Sequence, residues 1–586
     1  MNNQSPDLKS LFSSNNLAIP QYQRAYAWTE EPQLEDFLAD LRQQVKAQKK
    51  SKDKNYFLGT FLLHEHRSTG IVDIVDGQQR LTTSVIFIAA ALARNSDSSV
   101  LDSAKVKAAT LRRTFIYDED EELQKLRTIK EDNHFFRSEI LGLGQSDANT
   151  RSHSCLKLLN AKNYFLENVA DDEWSELVDV LISSKVMTYV VQNAADATQI
   201  FELQNDRGKK LTELESLKSY LMHLVYLHDK HPGDRLDVIQ CNFAEIYRSL
   251  ESIGEHIRAP REDAIFSYHC AAFENWTGDD WRSPKQFVKK SISKLAAADV
   301  TSWIEGFVCS LKGSFKSIND IYENLDDITE MSDLLVLGRL APFWPLIIKT
   351  WQKDNTQNKQ SFKKSVRLME VYSFRGYGIS NLRADSGLTT LYTYARDFVD
   401  FDSLNKSLFD MCYWYELQKR FDNGLDAVKI YKSNRSDVQY LLWKYENSLR
   451  SKTGNKQPLL TWKNYLKPSS NAAKFSVEHI AAQNNQICTT DVKWMDEDVQ
   501  PFSEIALHRL GNLVLDSISS NAAKGDKDFA QKLDQLSQST YRSHHELINF
   551  SENRTSDPLW SVNSVIERHQ TLVSFAKNNW NPEKYL

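Results

Sequence analysis

The stretch 475–524 constrains the fold of this chain most, because two short apolar runs lie between marked turns. The first run leads into the pair Glu478 and His479, and the second starts at Leu513, directly after a Gly-Asn turn. Short apolar runs that are bounded by turn residues predict strands. The polar residues that follow the second run predict a helix that begins near Asn521.

A carboxylate beside a histidine can divide the work of phosphodiester hydrolysis. Glu478 can hold a divalent cation while His479 removes a proton from water. Asn521 offers a second oxygen ligand, and oxygen ligands suit Mg²⁺ or Mn²⁺ better than Zn²⁺. Taken alone, the pair Glu478-His479 would fit a packed histidine in a helical domain. The joint pattern of both runs favours a metal-dependent site.

These residues resemble the HNH, or ββα-metal, nuclease finger at the C-terminus of GmrSD-like restriction proteins. Glu478-His479 followed by isoleucine is similar to the opening of that motif, and the Gly-Asn-Leu stretch around Asn512 is similar to its centre. The resemblance implies that His479 is the general base and that Glu478 and Asn521 are metal ligands. It also implies that Asn512 belongs to the catalytic set by fixing the loop. Ala482 departs from the family, which often has proline there.

A basic segment precedes this motif. Residues 429–474 contain ten Lys or Arg residues and two acidic ones, a net charge of +8. Such a run can simply be a solvated face. Because Trp443, Tyr445, Trp462 and Tyr465 are interleaved with it, we expect a surface that tracks nucleic-acid phosphates.

A second motif follows a predicted strand near residue 77. The runs 57–63 and 71–75 predict two strands, and the second leads into Asp76-Gly77-Gln78-Gln79-Arg80. Backbone N–H groups and the dipole at the start of the following helix can hold an anion. Arg80 adds a forked donor for phosphate oxygens, and Asp76 can orient water or a metal ion. No P-loop motif occurs in the chain.

Together with an aromatic segment at 19–28, this motif resembles the N-terminal half of GmrSD-like proteins, a ParB/sulfiredoxin-like domain. The resemblance implies binding and hydrolysis of a nucleoside triphosphate, which can be GTP, CTP, UTP or ATP. The implied nucleotide-binding residues are Asp76, Gly77, Gln78, Gln79, Arg80, Arg24, Asn205 and Lys218. Candidates for sensing a DNA modification, or for lining the nucleotide site, are Tyr22, Gln23, Arg24, Tyr26 and Trp28.

The stretch 200–218 predicts the end of one helix and the start of the next. Gly208 marks the end of the first helix, and Thr212 with Glu215 has the spacing of a capping box. This stretch also resembles the family, with Asn205 and Lys218 in matching places. Asn205 would either close the nucleotide pocket or only build the turn between the helices.

Length and composition limit the number of domains and the class of protein. A chain of 586 residues predicts two or three domains, and 41% hydrophobic with 26% charged residues is typical of globular proteins. No apolar run is long enough to span a membrane, and the N-terminal residues lack the features of a signal peptide. Six cysteines without a Cys-x-x-Cys pair fit neither a disulfide framework nor a zinc site. We therefore expect a cytoplasmic protein.

The predicted fold class is α+β and predominantly helical. Residues 1–225 would form the ParB/sulfiredoxin-like α/β domain, 226–430 a helical connector, and 431–586 a helical domain carrying the ββα-metal finger. By resemblance, the chain is a nucleotide-regulated type IV restriction endonuclease that cuts modified phage DNA, which would be double-stranded. The resemblance also allows for a homo-oligomer.

Two other functions stay open at this point. One is a nucleotide-switched DNA-binding protein of the ParB type that does not cleave, and the other is a nuclease toxin that acts on RNA. The modification sensed is open as well, among glucosylated bases, methylated bases and a phosphorothioate backbone. A reader of a bulky base would need a pocket for a flipped nucleotide.

Overall fold

A computed structural model of the chain describes most of its residues. The described ranges are 6–20, 23–50, 56–65, 70–145, 152–191, 212–229, 232–274, 283–452, 458–484, 486–553 and 558–586. The chain forms two compact units. The first comprises Met1–Glu255, Arg261–Phe266 and Arg282–Asn319, and the second comprises His256–Pro260, Ser267–Trp281 and Asp320–Leu586.

The first unit contains a mixed sheet of five strands in the order β6-β1-β3-β2-β7. Strands β2 and β3 are antiparallel, whereas β1 runs parallel to both β3 and β6, and β2 runs parallel to β7. Strands β4 and β5 form a separate antiparallel pair. The strand bounds are β1 Asn16–Ala18, β2 Phe57–Glu65, β3 Ile71–Asp76, β4 Tyr117–Asp118, β5 Leu123–Gln124, β6 Leu126–Arg127 and β7 Lys185–Val191.

Helices pack around this sheet and bury its apolar side chains. Helix Gln78–Ser98 has 21 residues, and those from Leu81 to Ala91 are buried. The helices before residue 256 are Leu8–Ser14, Glu35–Lys50, Gln78–Ser98, Ala108–Phe115, Lys130–Phe135, His153–Asn168, Trp174–Ile182, Glu213–His228 and Gly233–Gly254.

Between residue 256 and the predicted finger, each secondary-structure element among the described residues is a helix. These helices are Glu262–Phe273, Pro284–Ile292, Val300–Glu323, Thr329–Leu337, Trp344–Lys353, Gln360–Tyr372, Leu388–Arg396, Phe401–Met411, Leu417–Leu425, Ile430–Ser433, Arg435–Lys452 and Trp462–Leu466. The remaining elements are strands β8 Phe475–His479, β9 Asp491–Val492, β10 Gln500–Pro501 and β11 Leu513–Ser517, and helices Phe502–Ile505, Ile518–Lys524, Phe529–Ser537, Arg542–His545, Leu547–Phe550 and Val562–Asn579.

The predicted class, α+β and predominantly helical, is confirmed at this level. Both predicted strands near residue 77 are present as β2 and β3, and a helix starts directly after them. Thr212 and Glu215 form the predicted capping box at the start of helix Glu213–His228. Among the described residues, no helix is long and apolar enough to cross a membrane.

Candidate functional site

The C-terminal site is built on strands β8 and β11. The two strands are antiparallel, with His479 opposite Leu513 and Glu478 opposite Val514, and helix Ile518–Lys524 follows at once. This confirms the predicted order of strand, strand and helix. Because side chains alternate between the faces of a strand, Glu478 and His479 point to opposite faces of the pair. Asp516 lies on the same face as Glu478.

His479 is buried in a small cluster of rings. It is 5% exposed, and its Nε2 lies 3.1 Å from Nδ1 of His508. The amide nitrogen of Gln483 lies 3.3 Å from Nδ1 of His479. The ring of Tyr431 contacts the edge of His479 and stacks on His508, with centroid distances of 4.4 and 5.7 Å.

These contacts assign the proton of the neutral ring. An amide N–H can only donate, so Nδ1 of His479 accepts from Gln483 and Nε2–H donates to His508. Burial, followed by the charges of His508, Lys532 and nearby cations, lowers the pKa of His479 to about 3. His479 is therefore uncharged at neutral pH and has the lone pair that a base requires.

Three exposed cations of the basic segment act on the pKa values of the histidine pair, and one of them, Lys429, also pairs with Glu504 at 3.2 Å. Lys432 and Arg435 help to lower the pKa of His479, and Lys429 and Lys432 do so for His508, in each case after burial. Arg435 also lies over the ring of Tyr431, 5.2 Å from its centroid. The start of the basic segment thus faces the site.

Other members of that segment are engaged elsewhere. Lys444 pairs with Asp333 at 2.6 Å, and Arg450, which is buried, pairs with Glu446 at 2.6 Å. Lys463 pairs with Asp326 at 2.5 Å. The net charge of the segment therefore overstates the charge that it offers to a phosphate backbone.

Glu478 has a cationic partner that the sequence did not indicate. Nζ of Lys532 lies 2.8 Å from Oε1 of Glu478 and also donates to the carbonyl oxygens of His479 and Ile480, at 3.0 and 3.3 Å. Burial raises the pKa of Glu478, and Lys532 opposes that rise. Lys532 lies 54 residues after Glu478, so no local pattern could have paired them.

A second buried ion pair lies on the same face of the sheet. The ammonium group of Lys524 contacts the carboxylate of Asp516, and the two side chains are 1% and 0% exposed. Lys524 also donates to Oγ of Ser520 at 2.9 Å. Close to this pair, Nδ2 of Asn521 donates to Oγ of Ser476 at 3.2 Å, which leaves its carbonyl oxygen as the atom that a cation can take.

Asn512 is fully buried and ties the turn to its surroundings. Its Oδ1 accepts from the backbone N–H of Ala481 at 2.9 Å and from Nε1 of Trp560 at 3.0 Å. Its Nδ2 donates to the carbonyl oxygen of Leu507 at 2.9 Å. Asn512 thus connects the backbone at Ala481 with the backbone at Leu507, the residue before His508.

In the first unit, Gly77 joins strand β3 to helix Gln78–Ser98. Its φ of +90° suits glycine, and a Cβ there would lie 2.3 Å from the ring of Phe61. Asp76 is the last residue of the strand, and burial raises the pKa of its carboxyl. The predicted strand, glycine turn and helix start are therefore present.

The two glutamines of the motif hold the aromatic segment. Nε2 of Gln78 donates to the carbonyl oxygen of Arg24 at 3.0 Å. Gln79 donates to the carbonyl oxygen of Ala25 at 3.1 Å and accepts from the N–H of Ala27 at 2.9 Å. Both amides thus bond to backbone of the neighbouring segment.

The segment bonds back to the sheet and the helix. Gln23 donates to the carbonyl oxygen of Val75 at 2.7 Å, and the hydroxyl of Tyr26 lies 2.8 Å from Oγ1 of Thr83. Trp28 lines an open cavity of about 350 Å³. Tyr22 and Asn205, which were also predicted site residues, lie outside the described residues.

Arg80 is bound to strand β2. Its Nη1 donates to the carbonyl oxygen of Leu58 at 3.1 Å and its Nη2 to that of Thr60 at 3.2 Å. A Cβ on Gly59, whose φ is +130°, would lie 1.6 Å from Nη1 of Arg80. Only glycine at position 59 leaves room for the guanidinium of Arg80. A phosphate would have to bind the guanidinium N–H groups that do not donate to these two carbonyl oxygens.

Arg24 and Lys218 lie around the buried ring of Tyr247. Arg24 pairs with Glu262 at 2.5 Å and lies 3.7 Å from Glu215. The ring centroid of Tyr247 is 5.7 Å from Cζ of Arg24 and 5.6 Å from Nζ of Lys218. Burial lowers the pKa of Lys218 to about 7. The structure thus brings these two predicted residues together.

Comparisons with known proteins bear on both sites. No curated protein matches the chain. Residues 8–222 match the family model of the GmrSD restriction endonuclease, N-terminal domain, and residues 415–575 match that of the GmrSD restriction endonucleases, C-terminal domain. Because these two matches together span more than half of the chain, it belongs to the GmrSD family of restriction endonucleases, and this membership supports a DNA endonuclease that restricts modified DNA.

Proposed function

We propose that the chain is an HNH-type, metal-dependent endonuclease for modified double-stranded DNA, regulated by a nucleotide bound in a ParB/sulfiredoxin-like domain. The observation that carries the nuclease proposal is the neutral, buried His479, bonded to His508 and faced by exposed cations. A base in this state can accept a proton from water while the cations hold the phosphate backbone.

Within this proposal His479 is the general base. Its Nδ1 carries the lone pair, and the exposed Gln483 that now donates to it can give way to the attacking water. As Nδ1 gains a proton, Nε2–H still donates to His508, which holds the ring in place. A base oriented by a third group is a recurring arrangement in hydrolases.

Glu478 and Asn521 are the proposed holders of Mg²⁺ or Mn²⁺. Lys532 donates to Oε1 of Glu478, so Oε2 is the oxygen that a cation would bind, and Asn521 offers its amide oxygen. A donor set made only of oxygens suits a hard cation. Across the described ranges, no group of three or more His, Cys, Asp or Glu side chains could hold a metal ion. Water and substrate phosphate would therefore complete the shell, and a cation held there would supply Lewis-acid stabilisation on the face of the strand pair opposite to His479.

The direct test is an incubation of the purified full chain with modified DNA, with unmodified DNA and with RNA. Reactions contain magnesium or a chelator, with and without each nucleoside triphosphate. We expect cleavage of modified DNA that requires the divalent ion and whose rate changes with nucleotide. Binding without cleavage under all conditions would support the ParB-type alternative instead, and cleavage of RNA alone would support the toxin.

The pH dependence of cleavage follows from the low pKa of His479. A base is active when unprotonated, and a histidine with a pKa of about 3 stays unprotonated far below the ordinary value. We therefore expect the single-turnover nicking rate to change little between roughly pH 8 and pH 5. The measurement uses DNA at saturating concentration, so that binding does not contribute. A rate that falls about tenfold per pH unit below roughly pH 6.5 would show an ordinary histidine as the base.

The proposed nucleotide site lies at the start of helix Gln78–Ser98. Arg80→Ala is expected to weaken nucleotide binding by roughly tenfold or more, since it removes a charged donor and the support of strand β2. Calorimetric titration measures the affinity, and a thermal melt of the same sample separates binding from loss of fold. Arg94→Ala is the matched control, because Arg94 lies on the same helix but pairs with the exposed Asp171. A folded Arg80→Ala protein with unchanged affinity and turnover would refute the assignment.

A further inference from the structure

The two proposed metal ligands lie on the face of the strand pair opposite to His479. Glu478 points to that face, and Asn521 donates to Ser476, which shares it. In the proposed reaction, the oxygen of water bonds to phosphorus and its proton passes to Nδ1 of His479. The bond from phosphorus to the leaving oxygen breaks, and both electrons go to that oxygen. Because negative charge grows on the phosphate during this step, a positive group beside His479 would stabilise it.

Arg435 is an exposed cation close to His479. After burial and the charges of His508 and Lys532, its charge is among the causes that lower the pKa of His479. Arg435 forms no ion pair with any residue that the structure describes. It is also the first residue of helix Arg435–Lys452, where a positive charge opposes the helix dipole. Among the described residues, neither an ion pair nor the stability of this helix therefore accounts for the arginine.

The ring of Tyr431 orients the guanidinium. Cζ of Arg435 lies 5.2 Å from the centroid of that ring, within the range of a cation–π contact. The centroid of the same ring lies 4.4 Å from that of His479, and the ring stacks on His508 with an interplanar angle of 9°. The backbone N–H of Tyr431 donates to the carbonyl oxygen of His508 at 3.3 Å. Tyr431 therefore connects Arg435 to both histidines.

The other cations that act on the histidine pair are less suited to bind the reacting phosphate. Lys532 is buried, and its ammonium group already donates to three oxygens. Lys429 is held in an ion pair at 3.2 Å. Lys432 is exposed, and its ammonium is a point charge on a flexible chain. Arg435 combines exposure with an oriented, planar set of N–H donors that matches two phosphate oxygens.

We propose that Arg435 is a catalytic residue whose guanidinium binds the non-bridging oxygens of the scissile phosphate, and that Tyr431 is its positioning residue. This role rests on the proposed nuclease function and separates Arg435 from the cations that only attract the DNA backbone. Because the contact strengthens as charge grows on the phosphate, Arg435 acts on the rate of the chemical step more than on DNA affinity.

Single-turnover nicking of modified DNA by the full chain, with magnesium and at saturating DNA concentration, tests this role. We expect Arg435→Ala to lower the rate by about 10²–10³-fold, the usual loss for one donor to a developing charge. An equilibrium titration with a chelator present should show that DNA affinity falls by less than about tenfold. Arg435→Lys should recover only part of the rate, since lysine keeps the charge without the planar donors. Arg420→Ala, an exposed arginine on helix Leu417–Leu425, is the matched control and should nick as the unchanged protein does.

Two variants of Tyr431 and a chemical rescue test the positioning. Tyr431→Phe keeps the ring and should retain most of the rate, whereas Tyr431→Leu should lower the rate with little change in DNA affinity. Methylguanidinium added to Arg435→Ala should restore part of the rate, and methylammonium at the same concentration should not. A merely structural role of the arginine would not produce this difference.

The outcomes separate this role from the proposed function. If Arg435→Ala is folded in a thermal melt and keeps the rate of the unchanged protein, the role is wrong. A loss confined to DNA affinity would make Arg435 an ordinary backbone contact and would overturn the role as well. A rate lost together with thermal stability, and not restored by methylguanidinium, would show a structural contact instead. An unchanged protein that cuts no DNA would refute the proposed nuclease itself.

Discussion

His479→Ala is expected to lower the rate of DNA nicking by about 10²–10⁴-fold, the usual cost of removing a general base. His479 is 5% exposed and the exposed cations Lys429, Lys432 and Arg435 are unchanged in this variant, so DNA affinity should change little. Single-turnover nicking and an equilibrium binding titration on the same DNA measure the two effects.

Two further histidine variants give this experiment its controls. His134→Ala changes an exposed histidine of the first unit and should leave the nicking rate unchanged. His508→Ala removes the acceptor of Nε2–H and the ring that Tyr431 stacks on, so we expect a smaller loss than for His479→Ala. If His479→Ala nicks at the rate of the unchanged protein, this finger is not the catalytic centre.

The sequence predicted the order of elements at the C-terminal site because the signals there are local. Two apolar runs, a Gly-Asn turn and a polar stretch lie within 475–524, and each predicts its own element. The hydrogen-bond partners of Glu478 and His479 could not be predicted from local signals. Lys532 is distant in sequence from Glu478, and His508 becomes relevant only because β11 pairs with β8 in this register.

In the first unit, too, local elements were predictable and the distant partners of a site residue were not. The motif at 76–80 predicted a glycine turn and a helix start, and both are present. The carbonyl oxygens that bind Arg80 lie on another strand, so the sequence suggested a phosphate donor where the structure shows a tie to β2. Strands β1 and β6 have three and two residues, too few for a pattern, and only their pairing partners define them.

Lys524→Met is expected to destabilise the finger by about 3–5 kcal/mol, because it leaves the fully buried carboxylate of Asp516 without its counter-ion. Hydrogen exchange of the amides in β11, Leu513–Ser517, measures this loss locally, which matters in a chain of two units that need not unfold together. Lys527→Met is the matched control, since Lys527 is exposed three residues further on.

The double variant Asp516→Leu with Lys524→Met decides what the pair contributes. Removing both charges removes the desolvation cost as well, so most of the lost stability should return. A loss below about 1 kcal/mol in Lys524→Met, or a double variant no more stable than the single one, would contradict a buried pair. If stability is recovered, the nicking rate of the double variant shows whether the two charges are needed for cleavage, since Asp516 lies on the same face as Glu478. A stable double variant that still nicks DNA would place this ion pair in the scaffold, and one that does not would place it in the site.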